Sequence, residues 1–281
     1  MTGTEGMSAE QAGKRAAMDF RARHGLGVQP LGDLAAIIEQ STGIDVAVLD
    51  ADRDQHGLAM RDPSRGAIFI GVARTRHPMR QRSTLAHELA HVIFDDWNAG
   101  QDLSERSPAE VRADSFARHL LIPEEGLETH LGQRVSFSEA DLSAVVQWFL
   151  VSPPIAAINL ERAGYITEST KQEWRSLSTP TLAARYGWSD QYRSLEAESD
   201  RPRPPRKLLA RAISGYAEGV VSAQTIASLR GIDAEQVEAE LAQAGVVPRR
   251  AEVSSLDASD LPTVSIDLSD LDDEGREGGT V

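Results

Sequence analysis

The sequence predicts an α+β fold, with a small three-stranded antiparallel sheet packed against helices and further helical segments downstream. Three observations carry this. Apolar residues recur at helical spacing over most of the 281 residues. Between residues 45 and 72 the period changes to two. The chain is 41% hydrophobic but only 5% aromatic, enough for an aliphatic core and incompatible with a wholly disordered chain.

Residues 1–7 read as disordered. Ser8 to His24 reads as a helix, with apolar or small residues at Ala12, Ala16, Met18 and Phe20. Leu31 to Thr42 reads as a second helix, stopped by Gly43. Three short strands follow, at Asp45–Leu49, Gly57–Arg61 and Ala67–Val72. The turn residues Asp62-Pro63-Ser64-Arg65-Gly66 join the last two. A helix is expected from Gln81 to Asp96 and another from Pro108 to Leu121, which Pro123 ends. Together, residues 8–135 read as one domain. Ser138 to Ala163 reads as two helices broken at Val151-Ser152-Pro153, so residues 136–167 form a helix-turn-helix-like segment. Residues 168–206 look polar and mixed and end in a stiff basic linker, Arg201-Pro202-Arg203-Pro204-Pro205-Arg206. Residues 207–248 return to a helical pattern with turns at Gly219 and Gly231, as a small C-terminal helical domain. Residues 249–281 hold nine acids against three arginines and read as a disordered acidic tail.

The net charge of −14 makes the chain a poor general binder of phosphate backbones. With no cysteine, thiolate zinc sites, iron–sulfur clusters, disulfides and cysteine nucleophiles are excluded. No stretch has the length of a membrane span, and no signal peptide is visible, so a cytoplasmic protein is expected.

The chemistry concentrates in Leu85-Ala86-His87-Glu88-Leu89-Ala90-His91, an HExxH pattern. Two histidines four apart on a helix project about 40° from one another, so both rings reach one ion. Leu85, Leu89, Val92 and Ile93 fall on the opposite face, which can be buried while the imidazoles face a cleft. Neutral imidazoles suit zinc, and Glu88 beside them could take a proton from an activated water. Catalytic zinc keeps three protein ligands. Glu110 is the leading candidate for the third. It lies with Asp114 at the edge of an apolar arc formed by Ala113, Phe116, Ala117, Leu120 and Leu121, where an uncompensated carboxylate is costly. Arg112, Ser115, Arg118 and His119 fall outside that arc. Asp114, one turn on, could hold a histidine N–H. A second reading of Glu110 stays open, since Ser107-Pro108-Ala109-Glu110 is also a capping box. Asp95 and Asp96 are the rival ligands.

These residues resemble the ImmA/IrrE metallopeptidase family. The resemblance rests on Arg80 to His91, on Glu110-Val111-Arg112-Ala113-Asp114-Ser115-Phe116-Ala117, on Leu120-Leu121-Ile122-Pro123, and upstream on Phe20-Arg21, His24-Gly25-Leu26 and Gly43-Ile44-Asp45-Val46. It implies a small zincin-like domain with one zinc ion, His87, His91 and Glu110 as ligands and Glu88 as general base. It also implies a protein substrate, a helix-turn-helix transcriptional repressor whose cleavage relieves repression under stress or in a mobile element. The sequence departs from the family pattern at Ser83, Asp95, Arg112 and Asp114, none of which removes a metal or base group.

The strand at Ala67–Val72, just before the metal helix, could pair with an extended substrate. His119, His130 and Tyr165 are oxyanion candidates by type alone. The alternative function is a helix-turn-helix regulator with a structural or sensing metal. Charge disfavours direct DNA binding, because Pro153–Ala163 offers only Arg162 and Ala234–Ala244 carries Glu235, Glu238 and Glu240 with no base.

Overall fold

The computed structural model describes residues 7–51, 57–97, 107–132 and 136–249. The acidic tail, apart from Arg249, and the N-terminal residues before Met7 lie outside the described residues.

The fold is α+β. Helices α1 (Ala9–Arg23) and α2 (Leu34–Thr42) precede strands β1 (Asp45–Leu49), β2 (Gly57–Arg61) and β3 (Ile68–Ala73). Ser8 starts α1 with a reciprocal capping box to Gln11, and Gly43 ends α2 in the left-handed region that glycine tolerates. The sheet is mixed, not antiparallel as expected. Its order is β1-β3-β2, with β1 parallel to β3 and β2 antiparallel to β3. A period of two reports that a strand has two unlike faces and says nothing of its neighbour. The short turn at 62–67 forces β2 and β3 to be antiparallel, with Gly66 N donating to Asp62 O. With β1 pairing on its other side, β3 takes the centre.

The edges of this sheet are treated differently. Residues 201–206, expected as a linker, lie along β1. Val48 and Arg203 exchange both backbone hydrogen bonds at 2.9 Å. Arg203 also pairs with Asp33 at 2.7 Å, the Arg206 amide donates to the buried Glu39, and Lys207 donates to the Gly43 carbonyl. The outer edge of β2 has no strand partner among the described residues.

Helices α3 (Pro78–Phe94) and α4 (Pro108–Leu121) follow. Then come α5 (Glu124–Leu131), α6 (Glu139–Phe149) and α7 (Pro153–Arg162). Pro123 ends α4 and also caps α5, a helix that the sequence reading did not include and that buries Leu127 and Leu131. Residues 168–199, which looked merely mixed, hold α8 (Glu168–Trp174), α9 (Thr179–Arg185) and α10 (Ser189–Ser199). Each buries only one or two large side chains, such as Trp174, Leu182 and Tyr192, too few for a clear helical period. One hydrophobic cluster runs from Ala17 to Tyr192 and includes both β1 and α7. A second, smaller cluster joins α11 (Arg206–Ala217), α12 (Ala223–Arg230) and α13 (Ala234–Gln243) around Tyr216, Ile226 and Val237.

No single helix among the described residues is long and apolar enough to cross a membrane; α6 and α7 are so only as a pair, bent by 110°. Both bury most of their apolar residues in the first cluster, although Trp148 of α6 is 54% exposed.

One correction concerns α4. Ser115 and His119 were expected outside its buried arc, yet they are 0% and 5% exposed. The helix is covered on two sides, by α3 and by α1. Gly13 makes the second contact possible. A Cβ there would stand 2.3 Å from the Arg112 carbonyl oxygen and 2.8 Å from the Phe116 nitrogen. Because these are backbone atoms, no rotamer change relieves the clash. Gly13→Ala is expected to destabilise the fold by about 1–3 kcal/mol through overpacking. A urea titration checks this as a lower midpoint at unchanged slope, and a wild-type midpoint would contradict so close a crossing.

Candidate metal centre

Helix α3 buries Leu85, Ala86, Leu89 and Ala90. That places His87 and His91 on the side facing α4, with side chains 21% and 15% exposed. On α4 the Ser107 hydroxyl accepts from the Glu110 amide at 3.2 Å, which starts the helix. The Glu110 carboxylate faces the histidines instead of returning to the cap. Its Oε2 lies 3.0 Å from His87 Nε2 and its Oε1 lies 3.5 Å from His91 Nε2. The two Nε2 atoms are 3.0 Å apart. So Glu110's backbone serves the cap, and its carboxylate serves the cluster.

Two ring nitrogens 3.0 Å apart, and a carboxylate whose two oxygens lie 3.0 and 3.5 Å from them, fit one cation. Donors at zinc bonding distances in a tetrahedron stand about 3.3 Å apart. Two imidazole nitrogens and a carboxylate oxygen, with no sulfur, are the donor set of a catalytic zinc site. His87, His91 and Glu110 form a group able to hold a metal ion.

The outer nitrogens of the two rings are held as well. Asp114 Oδ1 lies 3.0 Å from His87 Nδ1, as expected from its place one turn after Glu110. Asp96 stands 3.7 Å from His91 Nδ1 and is clamped by Arg112 at 2.8 and 2.9 Å. The Arg112 guanidinium in turn lies 4.3 Å over the Phe94 ring. Asp96 thus backs the His91 ring from the side away from Glu110. Asp95 closes α3 in the left-handed region and bonds the Trp97 indole, with Arg61 at 3.7 Å. Neither aspartate belongs to the three-residue metal group.

Electrostatics follow from this packing. Burial lowers the His87 pKa, but the hydrogen bond and charge of Asp114, then Glu110 and Glu88, outweigh it and leave the group raised. His91 is lowered, by burial first and then by the neighbouring His87. Burial raises the Glu88 carboxyl, with His87 opposing. A carboxyl raised in this way moves toward the range useful to a general base.

Glu88 has a neighbour that the sequence did not reveal. A Cβ on Gly57 of β2 would lie 2.8 Å from Glu88 Oε1 and 2.7 Å from Thr84 Cγ2. The bare backbone of β2 therefore seats the Glu88 side chain. Beside it opens a cleft of about 480 Å³, which reaches Asp114, Ala117, Ile155 and Ile158. A larger hollow of about 750 Å³ shares Arg80 and Thr84 with it and continues past His77 to Glu196 and Asp200.

Three expectations shift. The strand β3 has neighbours on both sides, so it offers no free edge; β2 holds that position instead. His130 stacks on Trp148 and Tyr165 packs on Phe137, and neither lines the cleft. His119 is buried beneath α1, 4.0 Å from Glu10. Burial pushes its pKa down to about 4. That value lies below the unfolded one, near 6.5, so the unfolded chain takes up the proton first. Stability is then complete above pH 6.5 and falls as pH drops toward 4. Between pH 7 and pH 5 the wild type is expected to lose about 2 kcal/mol more than His119→Gln. Parallel denaturation curves for the two proteins at both pH values check this, and equal losses would refute it.

No curated protein matches the chain. Residues 39–161 match the peptidase family described as IrrE N-terminal-like domain, a stretch that holds the sheet, α3, α4 and most of α7. The match supports a metallopeptidase-type function and agrees with the grouping of His87, His91 and Glu110. Over residues 39–161 the chain is thus similar to the IrrE N-terminal-like domain of that peptidase family.

Proposed function

We propose that the protein is a zinc-dependent metalloendopeptidase that uses one zinc ion and cleaves a helix-turn-helix transcriptional repressor in the cytoplasm, relieving repression in a stress response or a mobile element. The observation that carries the catalytic part is the convergence of His87 Nε2, His91 Nε2 and a Glu110 oxygen, with Glu88 beside them. A bound zinc ion supplies Lewis acidity toward water and toward the scissile carbonyl. The chain's residues do the rest. Glu88 accepts a proton from the attacking water and delivers it to the leaving amide nitrogen. Asp114, and more loosely Asp96, hold the outer nitrogens of the two histidines, so that the Nε2 atoms stay directed at Glu110.

The open edge of β2 supports an endopeptidase. Leu58 and Met60 are 37% and 55% exposed on this strand, and Gly57 lies against Glu88. An extended substrate pairing with β2 would pass over the base with its backbone hydrogen bonds satisfied. A protein substrate that binds DNA is supported by the family resemblance and by charge. A chain of net charge −14 attracts the basic surface of such a partner and repels nucleic acid itself.

Metal analysis separates the parts of this reading. Wild type, Glu88→Gln and Asp95→Ala are each expected to hold about one equivalent of zinc, as three protein ligands remain in each. Glu110→Ala should lose most of it. With zinc retained, Glu88→Gln is expected to slow peptide hydrolysis by at least about a hundredfold. A purified wild type that stays metal-free when zinc is offered defeats the proposal. Gly57→Ala tests the seat of the base. It should keep its zinc yet hydrolyse about ten to a hundred times more slowly, because the displaced carboxylate meets the water in poor geometry. Full activity in Gly57→Ala would show that Glu88 does not depend on β2.

A further inference from the structure

The peptidase reading leaves open which bond is cut, and the cleft beside His87 bears on that choice. Its lining is mixed: polar and charged groups come from Arg80, Thr84, Glu88, Asp114 and Arg118, and hydrocarbon from Ala117, Ile155 and Ile158. The two isoleucines are three apart on α7 and so share a face of that helix. Ile155 is half-buried and packs on the main cluster. Ile158 is also half-buried but is not among the hydrophobics that pack on that cluster among the described residues. Its side chain lines the cleft.

We propose that Ile155 and Ile158 form a subsite that selects an aliphatic side chain next to the scissile bond. The proposal rests on the peptidase reading and sharpens it. An apolar wall that faces water gains free energy when a hydrocarbon side chain covers it. Both walls are β-branched and stiff at χ1, so they select by shape as well as polarity. The cleft, about 480 Å³, has room for one side chain and the backbone beside it. The segment that reads as a helix-turn-helix in the sequence thereby becomes a wall of the substrate site.

The test uses the full-length, zinc-loaded chain and a library of proteome-derived peptides, with the cut positions read by mass spectrometry. The wild type is expected to prefer Leu, Ile, Val or Met at one fixed position beside the cut. Ile158→Phe fills the subsite and should move the preference toward Ala and Gly by about tenfold. Ile158→Ala enlarges it and should move the preference the other way, toward aromatic residues. Ile155→Val, a milder change, should broaden the profile at nearly wild-type zinc content. The subsite proposal fails if all variants keep the wild-type profile, including the case where their rates fall uniformly. A zinc-loaded wild type that cuts nothing in the library overturns the peptidase reading instead, so the two failures are distinguishable.

Discussion

The site depends on how closely two helices approach. Glu110 on α4 can reach His87 and His91 on α3 only because the residues beside them are small. Ala86 and Ala90 on α3, and Ala113 and Ala117 on α4, are buried almost completely. Alanine at four-residue spacing on both helices leaves little side-chain bulk to keep them apart. The carboxylate is thereby taken out of water, where it would cost several kcal/mol if unpaired. Two imidazoles offset this cost, and a shared cation would offset it more fully. On its far side α4 is pinned to α1 at Gly13, so the approach of α4 to α3 is fixed from behind.

The two histidines are then supported in different ways. His87 is held by Asp114, whose side chain is 62% exposed. His91 is backed by Asp96, which is only 22% exposed and is itself held by Arg112. The second arrangement ties the end of α3 to α4 at a point beyond the ligands. It also accounts for Arg112, whose charge serves neither the solvent nor the metal group. Each ring is thus fixed from the helix that carries Glu110.

Much of this was legible in the sequence, for identifiable reasons. Strands β1 and β2, and helix α4, begin and end where the pattern placed them, because short strands and a proline-started helix have sharp local signals. The metal group was legible because its spacing lies within one turn of α3, and because Glu110 sits on an apolar face where a carboxylate needs a reason. What local pattern does not encode is which elements pack together. The order of the strands, the cover that α1 gives to α4, and the path of residues 201–206 along β1 all depend on tertiary contacts. The pairing of Asp96 with Arg112 and the contact of Gly57 with Glu88 escaped notice on the same ground. Nothing about a surface-type aspartate, an arginine or a glycine at a strand start reveals a partner that is distant in the chain.

The sheet order has a functional consequence that its local pattern hides. A central β3 leaves two edges, and the chain closes one of them. Arg203 bonds to Val48, and the same short stretch is tied to Asp33, Glu39 and Gly43. Covering β1 in this way removes an edge that could template unwanted pairing. The edge of β2, with exposed Leu58 and Met60, is the side on which Gly57 meets Glu88. An exposed apolar edge is a liability unless it has a use. Its position beside Glu88, the proposed base, would supply that use, and would join the order of three strands to the line along which a substrate crosses the metal group.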